Sequence, residues 1–135
     1  MTDVLISVSS SQNGEQNIKY DVSGRYIFTE SDTRISYLEP ESSEMGITKT
    51  RIQITPETVI IRREGNVSGK ITLKAGARIP FLYKTPYGVA EMAAEALSMT
   101  ACLSKFGGTL SLEYDIFING EKTGKNILLL KISKM

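Results

Sequence analysis

The sequence predicts an all-β protein, built as an antiparallel sandwich or barrel. Apolar and polar residues alternate with a period of two along most of the chain, which is typical of half-buried strands. Turn signals such as Asn13-Gly14, Thr55-Pro56 and Asn119-Gly120 separate these runs at short spacing. A length of 135 residues, of which 41% are hydrophobic, suits one folded unit. We therefore expect a single domain over residues 1–135.

The predicted strands follow from these alternating runs, taken in order along the chain. Gly24 interrupts the second run and marks a bulge or a bend, as barrel strands need at corners. The run from Leu110 is the cleanest, and the Asn119-Gly120 pair after it is a strong hairpin signal. The runs are Val4-Ile6-Val8, Ile18-Tyr20-Val22 continued by Tyr26-Phe28, Arg34-Ile35-Ser36-Tyr37, Thr48-Thr50-Ile52-Ile54, Val59-Ile60-Ile61, Ile71-Leu73, Ile79-Phe81-Tyr83, Leu110-Leu112-Tyr114-Ile116-Ile118 and Ile127 to Ile132.

The segment over residues 89–106 fits two interpretations. Its alanine, glutamate, methionine and leucine residues are good helix formers, and Glu91 and Glu95 would share one helical face. As a strand, the segment would carry an uncharged stripe opposite these glutamates. That stripe is Ala90, Met92, Ala94, Ala96, Ser98 and Thr100. Composition alone does not decide between helix and strand.

Missing residue types exclude several classes of function. The chain has no histidine, no tryptophan and a single cysteine, Cys102. Without histidine there is no Ser-His-Asp or Cys-His nucleophile and no histidine-containing metal site. One cysteine cannot form an internal disulfide, and we expect Cys102 to be a small buried apolar residue. We therefore expect no enzyme activity, no metal and no cofactor.

Charge and hydropathy bear on the compartment. The net charge of +1 gives no strong attraction to nucleic acid or to anionic membranes. The N-terminus carries Asp3 where a signal peptide would carry lysine or arginine. No stretch approaches the roughly 18 apolar residues of a transmembrane helix. Because a lone thiol fits a reducing cytosol, we expect a cytoplasmic protein without a membrane partner.

Several motifs, in this order and spacing, resemble a known family. They are Arg63-Glu64-Gly65, Tyr83-Lys84-Thr85-Pro86-Tyr87-Gly88, Gly107-Gly108-Thr109-Leu110-Ser111-Leu112-Glu113-Tyr114-Asp115-Ile116 and Asn119-Gly120. From Gly24 to Ile132 the chain resembles the YwiB-like family of small bacterial proteins. The resemblance implies a calycin-like (lipocalin-like) antiparallel barrel of about eight to ten strands. It also implies a strand over 89–104, which we adopt, and it implies no particular activity.

The turn over residues 85–88 leaves the register of its hairpin open. Pro86 presets φ for the first turn position, and the glycine that ends the turn can adopt a positive φ. A three-residue loop would set Tyr83 opposite Glu91, which suits the stereochemistry of the turn. A two-residue loop would set Tyr83 opposite Ala90, which suits apolar matching.

Four polar residues at motif positions are candidates for a binding site: Arg63, Tyr83, Thr85 and Tyr87. They would line the mouth of a barrel and bind a small or anionic molecule through guanidinium and hydroxyl groups. The structural alternative is that Thr85 fixes the turn, the tyrosines pack and Arg63 caps a strand edge. Small inward residues in the 89–104 strand would leave room inside the barrel. The first hypothesis is therefore a non-enzymatic small-molecule-binding module with its site in the barrel, and Tyr114 is assigned to the core.

Two other functions compete with this hypothesis. An exposed sheet face or edge could serve as a protein-interaction or assembly module, with a homodimer as one form. The segment from Lys49 to Arg78 carries seven lysines and arginines against two glutamates, a net charge of +5. Single-stranded nucleic acid could bind there, but the segment lacks stacking aromatic residues, so we interpret it as a solvated face. The stretch from Glu39 to Glu44 is predicted to be a mobile acidic loop.

Overall fold

The computed structural model describes residues 2–13, 15–40 and 45–135, which form a closed antiparallel barrel of ten strands. Each strand pairs with the next along the chain, and β1 pairs with β10 to close the barrel. The described residues contain no helix, so the all-β prediction and the strand over 89–104 are confirmed. The strands are β1 (Thr2–Gln12), β2 (Glu15–Ile27), β3 (Thr33–Leu38), β4 (Thr48–Ile54), β5 (Thr58–Gly65), β6 (Ser68–Lys74), β7 (Arg78–Thr85), β8 (Gly88–Ser104), β9 (Gly107–Ile118) and β10 (Glu121–Lys134).

Apolar residues at alternate strand positions fill the interior. In β1, Val4, Ile6 and Val8 are buried while Leu5 points outward and is exposed. At one level of the barrel, a row of apolar residues runs across five strands, each paired with the next. That row is Tyr26, Ile35, Ile52, Ile61 and Ile71. Each aliphatic side chain buried in this way stabilises the fold by about 1.5–3 kcal/mol.

A bulge in β8 changes which of its residues point into the barrel. Even-numbered residues point inward before the bulge, and odd-numbered residues point inward after it. Ala96 pairs with Tyr114 and Ser98 pairs with Glu113, so Leu97 is an extra residue with no partner on β9. One extra residue moves every following side chain to the opposite face, because side chains along a strand alternate with a period of two.

The bulge corrects two of the predictions for β8. The core residues of this strand are Ala94 and Ala96, with Met92, Met99 and Leu103 packed against them. The predicted inward stripe therefore holds as far as Ala96 and is wrong at Ser98 and Thr100, which are exposed. Cys102 is likewise an exposed free cysteine and not the buried residue that we predicted.

The turn after β7 adopts the tighter of the two registers. Thr85 pairs with Gly88, so the loop holds two residues, and Tyr83 lies opposite Ala90. The hydroxyl of Thr85 accepts a hydrogen bond from the Tyr87 N–H at 3.1 Å. Apolar matching of the two strands therefore decides the register.

Two glycines open β9 where strand backbones come close together. Gly108 has a φ of +138°, and a Cβ placed there would lie 2.0 Å from the carbonyl oxygen of Cys102. Gly107 has a φ of +115°, and its Cβ would lie 2.2 Å from the carbonyl oxygen of Ile132. Any other residue would have to displace the neighbouring strands, which explains the pair of glycines in the motif.

A buried polar network connects β2, β4 and the residue that follows β3. Glu39 is only 4% exposed, and its two carboxylate oxygens accept hydrogen bonds from Tyr20 at 2.6 Å and from Thr50 at 2.7 Å. Its backbone N–H donates to the carbonyl oxygen of Thr48 at 2.8 Å. The prediction of a mobile acidic loop is therefore wrong at Glu39, and residues 41–44 lie outside the described residues.

The glycine pair generates a prediction about stability. Because a side chain at position 108 would displace the backbone of β8, Gly108→Ala should lower the free energy of unfolding by about 3 kcal/mol or more. Gly76 also has a positive φ, +74°, but no atom lies within 4 Å of the position of its Cβ. Gly76→Ala should therefore cost only the backbone strain of about 1–2 kcal/mol. Urea unfolding of both variants measures the difference, and equal losses would contradict the close approach at Gly108.

The interior tyrosines generate a prediction about alkaline stability. Burial and the charge of Glu39 raise the pKa of Tyr37, an effect that Arg63 and Tyr20 only partly offset. The folded state therefore keeps this phenolic proton at pH values where the unfolded chain loses it. The resulting stability is fully present below about pH 10 and is lost as the pH rises above it.

We predict that the free energy of unfolding falls less steeply above about pH 10 in Tyr37→Phe than in the native protein, by up to about 1.4 kcal/mol per pH unit. Denaturant titrations between pH 8 and pH 12 would measure both slopes. Tyr87 is 99% exposed, so Tyr87→Phe is the matched control and should keep the native slope. A native slope in Tyr37→Phe would contradict the prediction.

Candidate functional site

A row of inward-facing residues crosses seven strands at one level of the barrel and contains two of the predicted site residues. Cross-strand pairs connect each residue of this row to the next. The row is Gly24, Tyr37, Thr50, Arg63, Gly69, Tyr83 and Ala90. The alternation of β5, in which Val59 and Ile61 are buried, directs Arg63 to the interior as well. Backbone pairing therefore brings Arg63 and Tyr83 to either side of Gly69.

The missing side chain of Gly69 makes room for Tyr83. A Cβ on Gly69 would lie 2.8 Å from Cδ1 of Tyr83, so the tyrosine ring packs on the glycine backbone. Phe81, two residues earlier on β7, contacts the ring edge-to-face, with centroids 6.3 Å apart and planes at 87°. These contacts fix the position of Tyr83 next to Arg63.

A cavity of about 480 Å³ lies at the end of the barrel where β1, β5, β7 and β9 finish. Arg63 is the charged residue among the described residues that line it. The other lining residues are Ser10, Ser11, Gln12, Asn13, Ile18, Met45, Ile71, Phe81, Tyr83, Met92, Tyr114, Ile116, Ile118, Thr123 and Asn126. The arrangement is a chamber whose wall combines apolar and polar side chains in similar number, together with one cation.

The ladder between β6 and β7 is short beside this cavity. Its described pairs are Ser68 with Lys84 and Gly69 with Tyr83. Ile71 and Phe81, which would form the next inward pair, do not pair, and both line the cavity. The wall of the barrel is therefore held by fewer backbone hydrogen bonds here than along the neighbouring strands.

The guanidinium of Arg63 lacks a partner within the part of the chain that the structure describes. Its Nε is buried and has no hydrogen-bond acceptor. None of the ion pairs between described residues includes Arg63. Burial acts to lower the pKa of Arg63, whereas Tyr83, Tyr114 and Tyr37 act to raise it, and the net change is a rise. The side chain is therefore a cation with an unused donor.

Glu39 is a buried acid bonded to Thr50 of this row, and its oxygens are already engaged. Both of its carboxylate oxygens accept hydrogen bonds, from Tyr20 and from Thr50. The network thus stabilises Glu39 without supplying an acceptor to the Nε of Arg63.

Tyr114 adds a hydroxyl beside Arg63. It is 6% exposed, as its assignment to the core predicted, and it also lines the cavity. Burial raises the pKa of Tyr114, an effect that Arg63 opposes and Tyr83 reinforces. The hydroxyl therefore keeps its proton and is available as a hydrogen-bond donor.

Two of the predicted site residues lie outside the cavity. Thr85 donates a hydrogen bond to the Gly88 carbonyl oxygen at 3.2 Å and accepts one from the Tyr87 N–H, so it stabilises the turn. The side chain of Tyr87 is 99% exposed at the tip of that turn. The structure thus brings together Arg63 and Tyr83, adds Tyr114, and leaves Thr85 and Tyr87 in the turn.

Sequence reasoning missed the network around Glu39. Tyr20, Tyr37 and Thr50 all occupy apolar-face positions in their alternating runs, where a hydroxyl needs a buried partner. That was the available signal, but Glu39, the partner of Tyr20 and Thr50, lies just after a strand in a stretch that composition marks as an exposed loop.

The opposite end of the barrel contains a second cavity, of about 430 Å³. Glu30 and Glu57 line it together with threonines and the apolar side chains of Met99 and Leu103. Next to this end, the Tyr26 hydroxyl donates to the carbonyl oxygen of Ser104 at 2.7 Å and ties β2 to the end of β8. None of the predicted site residues lies there.

The basic segment lies mainly on the outer face. The register places Arg51 opposite Arg62 and Arg62 opposite Lys70, in one row across three strands. Arg51 forms an ion pair with Glu64 at 3.1 Å, and Arg62 donates to the side chain of Gln53 at 3.2 Å. Two of these three cationic side chains, Arg51 and Arg62, are therefore bonded to neighbours on the same face.

Two further searches cover only the described residues. Within 2–13, 15–40 and 45–135, no group of three or more acidic or cysteine side chains is arranged as metal ligands would be. The same ranges hold no helix with the length and apolar character needed to cross a membrane.

Known proteins resemble this chain in sequence and in structure. The family model described as a domain of unknown function, DUF1934, matches residues 5–130. The uncharacterized β-barrel protein YwiB of Bacillus subtilis (strain 168) is 24% identical over 116 residues, which is 86% of this chain and 80% of that protein. The crystal structure of ywiB protein from Bacillus subtilis superposes with a TM-score of 0.85 at 20% identity, and covers 99% of this chain and 92% of that chain. These matches confirm the resemblance drawn from the motifs, and the chain belongs to the DUF1934 family.

Proposed function

We propose that the protein is a non-enzymatic module that binds a small molecule in the cavity beside Arg63. The observation that carries the proposal is the cavity itself, about 480 Å³ in volume, whose wall combines apolar side chains with a similar number of polar ones. Sites for small ligands commonly have volumes of roughly 300–1,000 Å³, and polar groups in their walls fix the orientation of the ligand. A core filled only for stability would use the space for side chains, since protein interiors are close-packed.

Binding is favoured over catalysis by the chemistry of the lining. Its described residues include no histidine, cysteine, aspartate or glutamate, which are the usual proton-transfer groups. Tyr114, which lies beside Arg63, keeps its proton at neutral pH because burial raises its pKa, so it does not act as a proton acceptor. The guanidinium of arginine and the hydroxyl of tyrosine serve well for recognition of a ligand, since both donate hydrogen bonds without a change of protonation state.

The proposal includes a cytoplasmic setting, as expected from the sequence. The exposed free thiol of Cys102 supports it, because a reducing compartment keeps such a group unoxidised.

Filling the cavity should abolish binding. Ser10 is an inward residue of β1 that lines the cavity, and it pairs with the buried Leu128. The native protein should bind the amphiphilic dye 8-anilinonaphthalene-1-sulfonate in a saturable manner, with a rise in dye fluorescence. Ser10→Trp should weaken this binding at least tenfold, which is about 1.4 kcal/mol, because the indole occupies the space.

Ser9→Trp is the matched control, since Ser9 is the neighbouring residue of β1 and pairs with the exposed Leu129. It should bind the dye as the native protein does. Unfolding curves of both variants establish that the barrel is intact. The proposal fails if the native protein shows no saturable binding, or if the two variants bind the dye equally well.

A further inference from the structure

We propose that the ligand is a monocarboxylate with an apolar body, whose carboxylate binds the guanidinium of Arg63 through Nε. This inference rests on the proposed function and adds the chemical class of the ligand.

The unpartnered Nε of Arg63 is the first argument. A buried donor on a charged group that lacks an acceptor costs free energy. Glu39 does not offset this cost, because Tyr20 and Thr50 occupy its two oxygens. An acceptor that enters the cavity would satisfy Nε, and a charged acceptor would form the stronger hydrogen bond.

The charge of the lining selects the class of anion. Arg63 is the charged residue of the described lining, so the site offers one positive charge. A carboxylate brings one negative charge, which this guanidinium balances. A phosphate monoester brings about 1.5–2 negative charges at neutral pH, and the excess would be desolvated without a partner. The site therefore favours a carboxylate over a phosphate.

The surroundings of Arg63 suit a planar carboxylate. Its cross-strand neighbours are Thr50 and Gly69, which are small, so the approach to the guanidinium is not covered by a large side chain from either strand. The fork of a guanidinium matches the two oxygens of a carboxylate. Tyr83 and Tyr114 line the same cavity, and their hydroxyls can donate further hydrogen bonds to the anion.

The apolar part of the lining suits an apolar ligand body. Hydrophobic side chains from β2, β6, β7, β8 and β9 face the cavity. They are Ile18, Ile71, Phe81, Met92, Ile116 and Ile118. Contact with these side chains removes apolar ligand surface from water, which stabilises the complex. The ligand is thus an amphiphile with its charged end at Arg63 and its body among these residues.

Three compounds with the same apolar body test the inference: 4-phenylbutyrate, its neutral amide 4-phenylbutyramide, and 3-phenylpropyl phosphate. Calorimetry or displacement of the dye at pH 7 would measure their affinities. In the native protein, the carboxylate should bind at least tenfold more tightly than the amide and more tightly than the phosphate.

Arg63→Met should lower the affinity for the carboxylate about 10- to 100-fold and leave the affinity for the amide unchanged. Binding of the amide also shows that the variant is folded. Arg62→Met is the matched control, because Arg62 is the neighbouring arginine and is bonded to Gln53 instead of lining the cavity. It should keep the native preference for the carboxylate. If Arg63→Met does not fold, Arg63→Lys replaces it, and should reduce the preference several-fold since it lacks Nε.

The outcomes separate the two proposals. Equal binding of carboxylate and amide, unchanged by either substitution at position 63, would overturn the assignment to Arg63 and leave the proposed function standing. Tighter binding of the phosphate would overturn the assignment to a carboxylate. If neither the three compounds nor the dye binds, the proposed function is wrong and the inference falls with it.

Discussion

A guanidinium inside a barrel has lost hydration that the protein has to replace, and this constraint organises the interior around Arg63. Backbone pairing fixes Arg63 between Thr50 and Gly69. Tyrosines surround it and favour the cation, yet they leave its Nε without an acceptor. The buried carboxylate of Glu39 is held by Tyr20 and Thr50 and does not supply the missing acceptor. The missing acceptor for the Nε of Arg63 therefore has to come from a group outside the described residues.

We propose that this acceptor belongs to a ligand bound in the cavity beside Arg63. Closure of ten strands produces an interior that contains both a packed apolar core and the cavity lined by Arg63. Gly69 lets the ring of Tyr83 lie against β6, and the short β6–β7 ladder leaves Ile71 and Phe81 free to line the cavity. Gly107 and Gly108, at the start of β9, have a different role, since they let neighbouring strand backbones approach each other. The close approach of strand backbones therefore depends on Gly107 and Gly108, whereas the packing of Tyr83 beside the cavity depends on Gly69.

The period-two pattern was sufficient to predict the strands, and the motifs were sufficient to predict the barrel family and to single out Arg63 and Tyr83. The pattern did not predict the bulge at Leu97, because an extra residue leaves no mark in composition and reverses every face after it. For this reason Cys102 was assigned to the wrong side. Burial of Glu39 was also missed, because it depends on hydroxyls from two distant strands. Tyr87 shows that proximity to a motif does not place a side chain in the cavity, since it is fully exposed in the turn.

The most direct measurement is the nuclear magnetic resonance signal of the Arg63 Nε–H group in ¹⁵N-labelled protein, assigned by its loss in Arg63→Lys. A carboxylate bound at this donor should shift the Nε proton downfield and slow its exchange with water. The neutral amide of the same body should produce neither change. An Nε signal that stays in place while the carboxylate shifts the resonances of Phe81 and Tyr83 would show that the cavity is occupied without a hydrogen bond to Arg63, and would contradict the central claim.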